Sequence, residues 1–416
     1  MKTSVKNMIS AGILFLFFAS TVVTLAQNTF ITISGLLKDA KTGEKIIYAT
    51  ISVPNTGIGT VSNSDGEFTL KVSTSLNAEF FEVSHMSYAT AKFKISEAVG
   101  KEKTFYLDIQ PIQLKEISVV PQDARSIVEI AINNIGKNYS GIPNMMTGFY
   151  RESIRQRRDY LSISEAVVDI YKSPYFSWQD DKVKIFKGRK STNVKKADTV
   201  MVQLQGGPNV SMLLDIVKNT GLSIALDNLD NYQFELGSVV NIDNKLNWVI
   251  TFSPAIVNEE PLYIGKLYIS QENIAITRAE FSLDLSDEDK ASRVFVQKKP
   301  MGLLFMPTST SYLITYKEQG GKYYLNYVRI ELKFRCDWKR RLFKNHYTVM
   351  SELAVTDRRE DNIVKFASQE VFRSNMVFSE KVQDFEDVDF WGDYNIIEPE
   401  SSIENAIKKL SKSLKK

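Results

Sequence analysis

Apolar and polar residues alternate one by one along most of this chain, the period of a strand with one buried and one wet face. Phe30-Ile31-Thr32-Ile33-Ser34-Gly35-Leu36-Leu37 is the first such run, and a polar turn follows at 39–44. Ala49-Thr50-Ile51-Ser52-Val53 and Glu67-Phe68-Thr69-Leu70-Lys71-Val72 repeat the pattern, the second after Asn63-Ser64-Asp65-Gly66. Asp65-Gly66 falls where the turn requires a positive φ, which glycine adopts without steric cost. Short strands at regular spacing between Gly, Asn and Asp turns predict a small β-sandwich over residues 29–110.

Residues 111–122, with Leu114-Lys115-Glu116-Ile117-Ser118-Val119-Val120 between prolines, read as a linker or short strand. Asp123 is placed to cap a helix whose Ile127, Ile130, Ala131, Ile135 and Tyr139 recur at helical spacing, a stripe suited to packing on a sheet. Alternation returns at 147–154 and 160–171, across the polar turn Gln156-Arg157-Arg158-Asp159, and again at 183–189. Gly206-Gly207-Pro208 opens a second helix. The remainder predicts an antiparallel meander of strands at 231–240, 246–254, 261–270, 274–284, 292–298, 310–317, 322–336 and 345–356, with one hairpin at Gly320-Gly321 and another at Ser270-Gln271-Glu272-Asn273. The fold class is therefore mainly β. Over 123–395 it is a large antiparallel sheet or incomplete barrel, with a few helices covering its open or concave side. Residues 396–416 predict an amphipathic helix with Ile403, Ala406, Ile407, Leu410 and Leu414 as its apolar stripe and five lysines toward its C-terminal end. It is expected to pack on its own domain; the alternative is peripheral membrane contact.

One segment lacks the alternation. Lys2 and Lys6 precede an apolar run at 8–19, and Thr24-Leu25-Ala26 places small residues three and one positions before Gln27. This is the form of a cleavable secretory signal, residues 1–26. The expected location is the periplasm or the outer-membrane or cell surface. Read instead as an anchor, the core from Ile9 to Val23 is short of the roughly 20 residues a span needs. Cys336 lies far from the cleavage point, so no acylation cysteine is present. No later stretch approaches about 18 uninterrupted apolar residues, so no transmembrane segment is expected in the mature chain.

Composition narrows this further. Loss of Lys2 and Lys6 leaves 50 basic against 49 acidic residues, a net charge of +1. That balance argues against nucleic acid, which needs a net basic face. A single cysteine forbids an intramolecular disulfide, so stability must come from the cores. The 24 Phe and 18 Tyr fit a β-rich protein, where large rings pack on a pleated surface.

The first domain carries Gly35, Asp39, Thr42-Gly43-Glu44, Ala49, Ile51, Val53, Gly57, Gly59-Thr60, Ser62, Asp65-Gly66-Glu67-Phe68 and Leu70 in order. In this it resembles the carboxypeptidase-like regulatory domain, a transthyretin-like sandwich; Ser87 stands where that family carries Gly. The resemblance implies an accessory module common in exported proteins of the Bacteroidetes type, not a peptidase. A zinc carboxypeptidase needs His and Glu ligands at close spacing plus a second His, and here only His85 and His346 exist, neither with a Glu three positions on. Asn63-Ser64-Asp65-Gly66 likewise lacks the rest of a calcium loop. Further blocks extend the likeness to exported proteins that join this sandwich to a β-rich region of unknown function. They are Gly148-Phe149-Tyr150-Arg151-Glu152, Ser164-Glu165-Ala166, Leu214-Asp215, Ser351-Glu352-Leu353 and Phe390-Trp391-Gly392-Asp393-Tyr394-Asn395-Ile396-Ile397. No activity comes with that resemblance.

Three groups of residues are candidates for function. Tyr171, Tyr175, Phe176 and Trp178 cluster about Pro174 in a predicted loop, the residue types of a sugar or lipid site, or equally of a core plug. Glu152 and Glu165, on neighbouring strands, are candidate paired carboxylates for glycan hydrolysis; the expected alternative pairs Glu152 with nearby basic residues and turns Glu165 to solvent. Lys182, Lys184, Lys187, Arg189, Lys190, Lys195 and Lys196 form a basic stretch, either an anion-binding surface or the wet face of a strand. No P-loop, dinucleotide fingerprint or nucleophile elbow occurs. The reading is a non-catalytic exported envelope protein with a binding or scaffolding role toward lipid, glycan or a protein partner, needing no cofactor or metal. A hydrolase using Glu152 and Glu165 is the alternative.

Overall fold

The computed structural model describes residues 30–100, 102–110, 123–192, 206–220, 228–295, 303–338, 345–384 and 390–414. The predicted signal at 1–26, the predicted linker at 111–122, and Lys195 and Lys196 lie outside the described residues.

The first domain is the predicted sandwich. One sheet has the order β4 (Glu67–Ser73), β1 (Phe30–Asp39), β7 (Lys103–Leu107), and the other β3 (Gly59–Val61), β2 (Thr50–Ser52), β5 (Phe80–Ser84), β6 (Ala91–Lys94). The alternating residues Ile33, Leu37, Phe68, Leu70, Phe81, Val83 and Phe105 close its core. Asp39 fixes the first turn by accepting from the backbone of Lys41 and Thr42 at 2.8 and 2.7 Å, and Gly66 takes the expected positive φ of 76°. Ser87, in place of glycine, is held at φ 71°, while its backbone N–H donates to Asn241 of the second domain at 2.8 Å.

The second domain is one open sheet. Its ten antiparallel strands are β8 (Asn144–Gln156), β9 (Asp159–Lys172), β10 (Lys182–Thr192), β11 (Tyr232–Ile242), β12 (Lys245–Pro254), β13 (Tyr263–Ser270), β14 (Ile276–Leu283), β15 (Leu303–Gln319), β16 (Lys322–Trp338) and β17 (Asn345–Arg359). β11 to β17 follow one another as a meander, and β17 then pairs with β8, so β10 and β11 lie on opposite sides of the opening. A two-residue strand, β18 (Gln383–Asp384), runs parallel to β10. Where a strand was expected at 292–298, a helix spans Glu288–Phe295. Asp287 starts it by accepting the Lys290 N–H at 3.0 Å, and this cap outweighs the short apolar run behind it.

Both faces of the sheet are covered. On one, the helix Ala124–Asn133, the turn Ile135–Asn138 and the helix Pro208–Leu213 pack Ile127, Ala131, Tyr139 and Met212 on Tyr150, Val168, Ile250, Leu267 and Ile314. Asp123 caps the first helix through the Ser126 N–H at 2.9 Å. On the other face lie the sandwich and the C-terminal segment: Tyr48, Val61, Trp391 and Ile397 against Phe149, Val167, Tyr327 and Ala354. The last helix is Ser401–Leu414, shorter than expected because 396–400 are committed to other contacts, and its Ile403 and Ile407 pack on Tyr160, Ile163 and Met350. Among the described residues no helix is long and apolar enough to cross a membrane.

Gly57 shows how closely the two domains meet. A Cβ there would stand 2.5 Å from the Arg358 backbone nitrogen and collide with its carbonyl oxygen. Gly57→Ala should therefore lower stability by roughly 1–3 kcal/mol, the usual scale of overpacking. It should also enlarge the radius of gyration measured by small-angle scattering; an unchanged radius and denaturation midpoint would count against this contact.

Candidate functional site

The carboxylates singled out in the sequence do not form a pair. In the register of β8 and β9, Arg151 faces Glu165 and Glu152 faces Ser164, so the two glutamates project from opposite faces of the sheet. Neither reaches solvent, and the expectation of a solvated Glu165 is corrected: both are buried.

Glu165 belongs to a row of charges that crosses five strands. Cross-strand pairing aligns Arg329, Glu352, Arg151, Glu165 and Arg189 on β16, β17, β8, β9 and β10. The successive ion pairs measure 3.1, 3.9, 2.8 and 2.9 Å. Arg151 and Glu165 have side-chain exposures of only 1% and 2%. Burial pushes the Glu165 carboxyl up, but the two guanidiniums outweigh it and hold the group below its ordinary value. Tyr327 donates to Glu352 at 2.5 Å, and Arg151 donates to the Ile397 carbonyl at 2.8 Å. Aromatic rings close the ends: the Arg329 guanidinium lies 4.8 Å from the Tyr48 ring centroid and Arg189 4.6 Å from that of Trp391. The basic stretch is thereby explained differently from a wet strand face. Arg189 is interior, Lys184 pairs with Glu370 at 2.6 Å, and Lys187 lies over Phe390.

The row is structural, with every charge engaged. Removing one partner leaves buried charge uncompensated, so Glu165→Gln should cost about 3–5 kcal/mol of unfolding free energy in urea at neutral pH. A loss below about 1 kcal/mol, the level of a surface pair, would refute this role.

Glu152, on the helix-covered face, has no ion pair among the described residues. Tyr150 donates to it at 3.1 Å, and burial pushes its carboxyl up from 4.5 to about 7. The folded-state value lies above the unfolded one, so native protein binds this proton more tightly. The contribution is full below the unfolded value and is lost as pH rises through about 7. Urea stability measured across that interval should fall with pH in the wild type and less steeply in Glu152→Gln; equal slopes would refute the assignment.

The four aromatics of the predicted loop also separate. Tyr171, next to the end of β9, packs with Met145 and Phe366. Tyr175 is buried on Tyr139, ring centroids 5.2 Å apart, and accepts the Leu325 N–H at 2.9 Å. Of the two readings, an exposed cluster or a core plug, these two tyrosines follow the second. Tyr171 lies in β9, which runs to Lys172, and Tyr175, in the turn beyond it, is drawn inward by Tyr139 and the Leu325 N–H. Phe176, 64% exposed, and Trp178, fully exposed, remain on the surface. Their loop is tied down at both ends. Lys172, wholly buried, bridges Asp181 at 2.6 Å and Asp215 at 2.7 Å. Asp215 also accepts from Tyr316 at 2.8 Å, and Asp181 accepts the Ser173 N–H at 2.9 Å. From the far side, Lys218 donates to the carbonyls of Pro174 and Ser177 at 2.6 and 2.5 Å. Burial lowers the Lys172 ammonium, yet its two aspartates outweigh this and raise it, keeping the clamp charged.

Sequence reasoning missed Lys172, Asp181 and Lys218. Asp215 stood in a noted block, but its partner is 43 positions away. Cys336 is buried and its thiol is pushed up to about 11 by that burial. His85 is likewise driven down to about 4, chiefly by burial. Among the described residues no group of three or more His, Cys, Asp or Glu side chains is placed to hold a metal ion.

Residues 33–119 match the family model of the CarboxypepD_reg-like domain, so the chain carries a carboxypeptidase-like regulatory domain at this position. No curated protein matches the chain. Among solved structures, a DUF1329 family protein from Desulfovibrio piger aligns with 59% of this chain and 96% of its own, at 11% identity and a TM-score of 0.26. MucB in complex with MucA(peri) aligns with 57% of this chain and 98% of its own, at 9% identity and a TM-score of 0.18. The MucA/MucB complex from Pseudomonas aeruginosa gives the same figures. Scores at this level do not establish a common fold.

Proposed function

We propose that this is a non-catalytic protein exported to the cell envelope, where it binds a protein partner through Phe176 and Trp178. The observation that carries the reading is their exposure on a loop fastened by the Lys172–Asp181–Asp215 clamp and by Lys218. Exposed aromatics on a fixed backbone lose little entropy on binding, and such anchors dominate protein interfaces. Export rests on the secretory form of residues 1–26.

Two other readings find less support. A lipid carrier needs an apolar cavity, whereas the space between the sheet and its helices is occupied by close-packed side chains such as Tyr139, Met212, Ile216 and Tyr316. A carboxylate hydrolase needs both acids on one side of its substrate, and Glu152 and Glu165 project oppositely.

The test is site-specific photo-cross-linking from position 179, the exposed Gln179 beside Trp178, in the native envelope, paired with native mass spectrometry of the purified protein. A single dominant protein adduct is expected, lost in Phe176→Ala/Trp178→Ala at an unchanged melting temperature. Co-purified lipid with no protein adduct would overturn the proposal.

A further inference from the structure

Between the two domains lies a cleft of about 740 Å³, within the range of small-molecule sites. The sandwich contributes Ser52, Ser84 and Thr90, and the sheet domain contributes the hairpin Asp243-Asn244, the turn at Gly320 and the pair Arg358 and Glu360.

Its chemistry is distinctive. Most of the ions that line it already have counter-ions: Glu82 with Lys92 at 3.0 Å, Glu318 with Lys245 at 2.7 Å, and Glu360 with Arg358 at 3.0 Å. Lys317 and Asp243, of opposite sign, also line it, and Lys322 donates its ammonium to the Lys137 carbonyl. An incoming ion of either sign would therefore meet like charge. Between the ions stand neutral groups that both donate and accept hydrogen bonds: Ser52, Thr56, Ser84, Asn55, Asn244 and Gln319. Thr90 donates its backbone N–H to Asn244 at 3.1 Å, yet its hydroxyl is buried with no partner among the described residues. An apolar occupant would cover the donors and acceptors that these groups still offer without pairing them, at a cost for each.

We propose that this interdomain cleft is a binding site for a neutral, polyhydroxylated ligand, a short saccharide, recognised by Thr90, Asn244 and the neighbouring hydroxyl and amide groups of both domains. The ion pairs shape the cleft rather than select for charge. The site is separate from the loop of Phe176 and Trp178, and either can fail without the other.

Saturation-transfer NMR and calorimetry on the full mature chain provide the test, with cellotetraose, maltotetraose and mannotetraose as neutral probes. A sulfated tetrasaccharide and a zwitterionic tripeptide serve as charged ones. At least one neutral probe is expected to bind, and to bind about tenfold more weakly in Thr90→Val/Asn244→Gly. Glycine at 244 keeps the positive φ of 61° that this turn requires. Trp178→Ala should leave saccharide affinity unchanged. The proposal is overturned if no neutral probe binds at millimolar concentration, if the cleft variant binds as well as wild type, or if only a charged probe responds to the cleft substitutions.

Discussion

Five side chains, Arg329, Glu352, Arg151, Glu165 and Arg189, set the terms for the rest of this structure, because they place alternating charge across five adjacent strands beneath other protein. Taking an ion out of water costs several kcal/mol even after relaxation, and attraction between partners offsets this only when geometry is good and remaining donors are satisfied. Here each interior ion has a neighbour of opposite sign on the next strand. The remaining donors of Arg151 are met by carbonyls of the C-terminal segment. The arrangement also specifies register. A slip of one residue between β8 and β9 would turn one strand's charge to the opposite face and leave its former partner unpaired.

The row reaches beyond the sheet that carries it. Arg329 lies under Tyr48 of the sandwich and Arg189 under Trp391, while the Ile397 carbonyl seated on Arg151 belongs to a segment that fastens the sandwich. In that segment Asn395 behaves as a fragment of strand, its amide accepting from the Lys71 N–H at 2.6 Å and donating to the Lys71 carbonyl at 2.9 Å on the free edge of β4. Thr60 donates to the Ile396 carbonyl at 2.7 Å, and Asp65 accepts the Ser401 N–H at 3.1 Å at the start of the last helix. Sheet, segment and sandwich therefore constrain one another, and the interdomain cleft inherits its shape from that constraint.

Much of this was legible locally. Period-2 alternation identified the sandwich and nearly every strand of the meander, because one face of each is buried for most of its length. The blocks around Arg151, Glu165, Glu352 and Trp391 stood out in the chain, but nothing local says that they converge. Arg151 meets Glu165 across a hairpin and Ile397 from 246 positions away. Where local signals competed, the shorter lost: the apolar residues of 292–298 yielded to the Asp287 cap. The strand end near Tyr171 was legible, but the burial of Tyr175 was not, because the Tyr139 ring and the Leu325 N–H that receive it come from distant parts of the chain.

The same logic of buried charge recurs at the aromatic loop and explains why it can present Phe176 and Trp178 outward. A loop held only by backbone turns would let those rings fold back onto apolar surface, since exposed aromatic area is unfavourable in water. Lys172 prevents this at its base: it can remain buried only while Asp181 and Asp215 stay beside it, which fixes both ends of the loop to the core. The desolvation of these three groups is thus the physical cause of the exposure of two others, and it ties the rings presented at the surface to packing in the interior.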